Sequence, residues 1–286
     1  MALTMLMSFP EIMSKAKQAK KELKKIIKKY SIHAVISDNR YELSTSEVPS
    51  IFITHQLNIQ TNGWQVVVKP IIDWIINSYI NKFDEVWVPD VTAGFQLSGK
   101  LSNSNKFLSK RFYIGLLSRF SKADNNSKPK NFDLLIILSG PEPQRTILEK
   151  MLLAQALETN LKIVMLLGKP DENINKEINN VKLISHLPDA QFASLIRSAK
   201  FVISRPGYST MMDLANFGNK AAFIPTPGQT EQEYLANRLL EKGIAFSQSQ
   251  SSFNLSKAIA NQNKYTGLIM ENNTELLKSR IDNLLI

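Results

Sequence analysis

Three short stretches of the 286-residue chain bring arginine, glycine, hydroxyl and amide residues to points where an apolar run gives way to a helical pattern. In the first, ISRPGYSTMMDLANFG, the apolar residues ending at Ile203 pass into Ser204 and Arg205. Pro206 fixes φ, and Gly207 lets the backbone come close to a ligand. Tyr208, Ser209 and Thr210 then open a helix, whose free N–H groups and positive dipole end suit a phosphate. Asp213, one turn in, either accepts bonds from the vicinal hydroxyls of a ribose or answers the helix dipole. In the second stretch, LLIILSGPEPQR, Ser139 and Gly140 make a tight exit. Pro141 and Pro143 stand where a helix begins, a place that tolerates proline. This is either a phosphate turn or an ordinary strand-to-helix turn. The third, PTPGQTEQEYL, sets Gln229, Glu231, Gln232 and Glu233 near a helix start, the groups that hold sugar hydroxyls.

These turns need a sheet to converge on. Beyond residue 131, strands are expected near 133–138, 162–166, 181–184, 200–203 and 221–224, each followed by a helix. A short strand near 244–246 and helices near 253–261 and 273–284 close a nearly complete doubly wound domain. Ligands bind outside the carboxyl ends of such strands, so the three turns share one edge. In the first part, strands are expected near 33–37, 50–54, 85–88 and 111–114, with a helix after Pro70 carrying an Ile71/Ile72, Ile75/Ile76, Tyr79/Ile80 stripe. That stripe packs on a sheet, or else Trp64 and Trp74 sit at a lipid interface. The polar, aperiodic segment 119–131 reads as a linker. The expected class is therefore α/β with parallel sheets in two domains.

Composition narrows the classes. A hydrophobic fraction of 43% and a charged fraction of 21% are those of a globular protein with a substantial core. The absence of cysteine excludes a disulfide scaffold, a thiolate metal site and a cysteine nucleophile, and fits a reducing compartment. No apolar run is long enough to span a bilayer, and MALTMLMSFP lacks the flanks of a signal peptide. The formal charge of +10 is densest in residues 15–30, where eight lysines accompany an apolar face of Leu23, Ile26, Ile27 and Tyr30. That helix is a solvated face, or it meets an anionic membrane or a phosphate-bearing substrate. Nucleic acid is not expected, because the lysines lack interleaved aromatics and no known motif accompanies them.

With these residues in view, the second part resembles the donor domain of two-domain (GT-B) glycosyltransferases. It is most similar to family 28, which includes the peptidoglycan lipid-precursor N-acetylglucosaminyltransferases. The pattern arginine-x-glycine-x-x-threonine-x-x-acid, then glycine, is carried by Arg205, Gly207, Thr210, Asp213 and Gly218, followed by Pro225 and the Gln232–Glu233 pair. The resemblance implies two Rossmann-like domains: 1–118 on the acceptor side, a linker at 119–131, and 132–286 for a nucleotide sugar. It implies that Asp213 binds the donor ribose, where glutamate is commoner. Gln232 and Glu233 bind the donor sugar, with glutamate in place of a second glutamine. Leu187 lies where backbone groups read the uracil edge. Gly115 and Arg119 match a glycine–arginine segment at the interdomain cleft, so that Arg119 faces the diphosphate. Gly140 matches a phosphate turn in which Pro141 replaces serine, so contacts come from backbone or from Gln144 and Arg145. His55 and Gln56 match an acceptor-side segment.

The family also begins with a strand, a glycine-rich loop and a helix, and no such segment is found here. The chain enters the fold about 80 residues late for a complete Rossmann half, so the first domain lacks its initial strands. Either the gene start is truncated or a partner chain supplies the missing part. The expected activity is transfer of N-acetylglucosamine or a related sugar from a UDP-sugar to an acceptor that the lysine helix and tryptophans suggest is lipid-linked. The resemblance implies an inverting, metal-independent reaction with no cofactor, in a cytoplasmic protein peripheral to the membrane. No Asp-x-Asp pair follows a strand, so no metal site is expected. His55 and Asp38 are the candidate bases. The alternatives are a UDP-sugar 2-epimerase and a non-catalytic nucleotide-sugar-binding subunit.

Overall fold

The computed structural model describes residues 2–60, 65–120, 131–270 and 273–284. Trp64 and most of the expected linker therefore lie outside the described residues. The chain divides into two compact units, Met1–Gly115 with Asn273–Ile286, and Leu116–Asn272.

The first unit is built on a four-stranded parallel sheet, β1 (Val35–Asp38), β2 (Ser50–Ile53), β3 (Glu85–Val88) and β4 (Arg111–Tyr113), in that spatial order. Alternation along β2 and β3 separates its two faces. Phe52, Val86 and Val88 pack with Leu57, Ile80, Phe83 and Phe107 on one face, while Ile51, Ile53, Trp87 and Ile114 form the other. Two helices, α1 (Ala2–Tyr30) and α2 (Gln65–Ile80), both pack on the short 3-10 turn Tyr41–Leu43. Pro70 lies inside α2 rather than before it.

The last helix corrects the expected boundary. Instead of closing the second domain, α8 (Glu275–Leu284) sets Leu277 and Leu284 against the Ile51, Ile53 and Trp87 face of the first sheet. Arg280 lies 3.4 Å over the Phe112 ring and 3.5 Å from Glu85. That face is apolar and needs a cover, which the helix supplies.

The second unit holds a seven-stranded sheet: β5 (Phe132–Ile137), β6 (Ile163–Leu166), β7 (Asn175–Ile178), β8 (Val181–Ile184), β9 (Ala199–Ser204), β10 (Ala221–Phe223) and β11 (Phe246–Ser247). Their spatial order is β11-β10-β9-β5-β6-β8-β7, and all pairs except β7·β8 are parallel. Setting aside antiparallel β7, this is the 3-2-1-4-5-6 order of a dinucleotide-binding fold, with its switch point between β5 and β9. Helices α3 (Gln144–Leu157), α4 (Asp189–Ser198), α5 (Tyr208–Phe217), α6 (Thr230–Glu241) and α7 (Leu255–Asn261) complete the unit. No helix follows β6, contrary to the sequence reading. β7 and β8 form a hairpin there, turned by Asn179 at φ 51°. An exposed edge strand bearing Lys176 and Glu177 discourages further pairing.

Candidate functional site

β5 leaves its last paired residue, Ile137, through Ser139 and Gly140, and Gly140 has φ 103°, a conformation open to glycine. β9 leaves through Arg205, Pro206 and Gly207, and α5 starts at once. Gly207 is its N-cap, with no side-chain cap, and Gly218 closes it in the left-handed conformation at φ 67°. The turn after β10 reaches across the end of β9. A Cβ on Gly140 would lie 3.9 Å from the Thr226 hydroxyl. Thr226 is 3% exposed, and its Oγ1 has no hydrogen-bond partner among the described residues. A buried hydroxyl left unpaired carries a desolvation cost that a ligand or water oxygen would remove.

The turns at 140, 207 and 226 thus meet at the switch point, as the sequence indicated, but several expected ligand residues have other partners. Arg205 is 1% exposed and does not face outward. Its Nη1 donates to the carbonyls of Ile224 and Pro225, both at 2.9 Å, and its Nη2 to Gln144 O at 3.4 Å and Gln250 Oε1 at 2.5 Å. Burial lowers its guanidinium to about 10, so it stays a cation at neutral pH. Arg205 is a brace between the ends of β9 and β10 and the start of α3. Gln144, expected at a phosphate, instead accepts at 3.1 Å from the Gln250 amide through its side-chain oxygen.

Arg145 is likewise engaged internally. Its Nη2 meets Glu142, and its Nη1 donates to Leu167 O at 3.0 Å. Glu142 also accepts from the Thr146 N–H at 3.2 Å, and bonding by Thr146, its side chain foremost, together with the nearby cations holds the carboxyl below its ordinary value. A carboxylate already occupies the first turn of α3. The start of α5, where Ser209 and Thr210 stand in the first turn, has no side-chain cap.

Asp213 is 5% exposed. Its Oδ1 accepts from Ser118 Oγ at 2.8 Å and its Oδ2 from Arg119 Nε at 3.3 Å. Desolvation pushes its carboxyl up, against the Ser118 hydroxyl and the Arg119 guanidinium, which pull it down. Arg119 is half-exposed, bonds Asp189 at 3.0 Å, and stacks 5.0 Å from the rings of both Phe120 and Phe192. Sequence reasoning missed Ser118 and Asn216, whose amide donates to Phe120 O at 3.0 Å. Together they fasten 116–120 along α5 and hold Asp213 where a ribose was expected.

The sugar-side residues fold back onto their own turn. Gln232 Oε1 accepts from Thr226 N at 2.9 Å, and Glu233 Oε1 from Gly228 N at 3.1 Å. The Gln232 amide nitrogen has no partner among the described residues, which leaves it a donor for a ligand. α6 begins without a side-chain cap. Leu187, half-buried, lines a cavity of about 320 Å³ with Ile184, Gln191 and Leu195.

In the first unit, Asp38 is the last residue of β1 and pairs in register with Ile53, two residues before His55. Asp38 and the His55–Gln56 segment thus share the carboxyl edge of neighbouring strands. An organiser missed in the sequence is Asp90, fully buried beyond β3. It accepts from the N–H groups of Val91, Leu97 and Ser98, and from Ser98 Oγ at 2.5 Å. The loop it shapes offers Leu101 O to the N–H groups of Leu57 and Asn58, each at 2.8 Å, and so steadies the loop that follows His55.

Residues 134–280 match the model of the glycosyltransferase family 28 C-terminal domain. An uncharacterized glycosyltransferase of Methanosarcina mazei is 26% identical over 232 residues, 77% of this chain and 61% of that protein. The UDP-N-acetylglucosamine--N-acetylmuramyl-(pentapeptide) pyrophosphoryl-undecaprenol N-acetylglucosamine transferase of Campylobacter jejuni subsp. doylei is 26% identical over 247 residues, 82% of this chain and 64% of that protein. The chain spans less than two thirds of the length of these curated relatives. Among solved structures, the glycotransferase of kitacinnamycin aligns with TM-score 0.63 and 14% identity over 96% of this chain and 80% of that one. Acinetobacter baumannii MurG aligns with TM-score 0.53 and 14% identity over 95% and 75%. At such identity these likenesses speak for the fold, which is that of GT-B glycosyltransferases.

Proposed function

Because the chain belongs to glycosyltransferase family 28, we propose that it is a glycosyltransferase whose second unit binds a UDP-sugar at the carboxyl edge of its seven-stranded sheet. The observation that carries this reading is the uncapped start of α5 at the β5/β9 switch point, beside the unpartnered Thr226 hydroxyl. The diphosphate lies over Gly207–Thr210, with Thr226 donating to a phosphate oxygen. Asp213 exchanges the Ser118 hydroxyl for those of the ribose. Leu187 borders the base, and the Gln232 amide donates to the sugar, which we take to be N-acetylglucosamine or a close relative.

The reaction fitted to these groups is a single inverting displacement without metal. An acceptor hydroxyl attacks the anomeric carbon, the bond to the diphosphate breaks, and its electron pair leaves with UDP. Backbone N–H groups and the α5 dipole stabilise the charge that develops on the leaving oxygen. The hydroxyl proton passes to a general base, for which the first unit offers His55 and Asp38. Titration calorimetry with UDP tests the donor site. Thr226→Val should weaken UDP about tenfold, equivalent to ~1.4 kcal/mol, without lowering Tm. Gln232→Ala should weaken UDP-N-acetylglucosamine while leaving UDP unchanged. No UDP binding by the native chain would refute the donor reading, and binding without turnover would favour the non-catalytic subunit.

The same reading makes the acceptor lipid-linked. Val67, Ile71, Trp74 and Ile75 are exposed along one face of α2, in the unit that also carries the lysines of α1. Among the described residues no helix is long and apolar enough to cross a membrane, and the attachment proposed is by this exposed face. Ile71→Ser with Trp74→Ser should reduce co-sedimentation with anionic liposomes about tenfold, and unchanged sedimentation would contradict it.

A further inference from the structure

The amino edge of the first sheet, away from the strand ends that carry Asp38 and His55, holds a pocket of a different kind. Ser46 and Lys82 stand just before the first residues of β2 and β3, and α1 passes beside them. The cavity, of about 370 Å³, is lined by Lys20, Lys24, Ser44, Thr45, Ser46 and Lys82. No carboxylate lines it. Glu47 stands outside that lining and pairs with Lys24 alone, at 3.3 Å. Lys20 and Lys82 have no carboxylate partner among the described residues, and Lys82 is held 4.6 Å over the Tyr79 ring.

The floor of this pocket is polar. Ser44 is 3% exposed, and its hydroxyl has no partner among the described residues. Thr45 Oγ1 accepts from the Glu47 N–H at 3.2 Å, which leaves its own proton to donate. Ser44, almost wholly covered elsewhere, lines the cavity. Hydroxyl donors at the base and ammonium groups at the rim are the complement of a tetrahedral dianion.

We propose that this pocket binds a phosphate group, as a phosphomonoester or free phosphate, separately from the donor site. Ser44 and Thr45 donate to its oxygens, and Lys20, Lys24 and Lys82 balance its charge, Lys24 turning from Glu47 towards the anion. The site rests only on residues of the first unit and is independent of the donor reading.

A ³¹P NMR titration of the full chain at 150 mM salt tests it, with inorganic phosphate and glycerol 3-phosphate as probes. The native protein should saturate, and Ser44→Ala and Lys20→Gln/Lys82→Gln should each bind at least fivefold more weakly. All three should give the same calorimetric UDP titration, which separates this site from the donor site. Vesicles containing phosphatidic acid distinguish the sources. Capture that glycerol 3-phosphate competes away assigns a lipid headgroup, and titration without capture assigns a soluble phosphate. Variants that titrate like the native chain, or a native chain that does not saturate, would overturn the proposal. Ser44→Ala removes a hydroxyl that bonds nothing, so its folding is secure even where the lysine pair disturbs α1.

Discussion

Arg205 shows how a single side chain sets the edge on which the proposed donor site lies. Its guanidinium fork reaches four acceptors on three segments, the carbonyls of residues 144, 224 and 225 and the amide oxygen of Gln250. Arg205→Met should therefore destabilise the second unit by about 3 kcal/mol in urea denaturation, because the buried acceptors lose their donor. It should also weaken UDP, by moving the turns rather than by losing a contact. Asp133 works at the opposite edge, accepting from Lys200 Nζ at 2.8 Å and Lys162 N at 2.9 Å, which, Lys200 foremost, hold its carboxyl below its ordinary value. A depressed carboxylate stabilises the fold above its unfolded pKa, and this is lost as pH falls through the folded one. Asp133→Asn should thus shrink the difference in urea midpoint between pH 7 and pH 3. At this scale the sequence was legible where spacing is local: Gly207, Thr210 and Asp213 occupy the expected first turns of α5. It was not legible for Arg205, whose acceptors lie up to 61 residues away and come together only when the sheet forms.

Among elements, α5 is the hub. Seven of its ten residues are buried, and it takes the 116–120 segment along its side. Phe120 anchors that segment between Phe192 and Phe217, with centroids at 5.8 and 5.6 Å. Phe120→Ala should cost about 3 kcal/mol of stability and free Asp213 from Ser118 and Arg119, measurable as faster hydrogen exchange over 116–120. Strand positions read well from sequence because β-branched runs bounded by turn residues are strong signals. The β7–β8 hairpin was missed because its outer strand, Asn175–Ile178, is exposed and polar, although the Asn179–Asn180 turn between the strands was visible. The helical pattern of 273–284 was found, but its partner was not. Periodicity states that a helix has an apolar face and is silent on which sheet receives it.

For the whole molecule, that partner decides how stability is shared. The first unit buries Ile51, Ile53, Trp87 and Ile114 on the face that Leu277 and Leu284 help to cover. Leu277→Asp should lower the unfolding midpoint of the first unit and leave the second unchanged, resolving two calorimetric transitions. A single shifted transition would show that the units unfold together. The return of the chain to its first unit also orders events during synthesis. Everything needed for the second unit has been translated by residue 272, whereas the four-stranded sheet waits for α8. At roughly 5–20 residues per second the ribosome leaves that sheet half-covered while the whole second unit is made. The earlier-made unit is thus the later to mature, and it is the one that nascent-chain chaperones should hold.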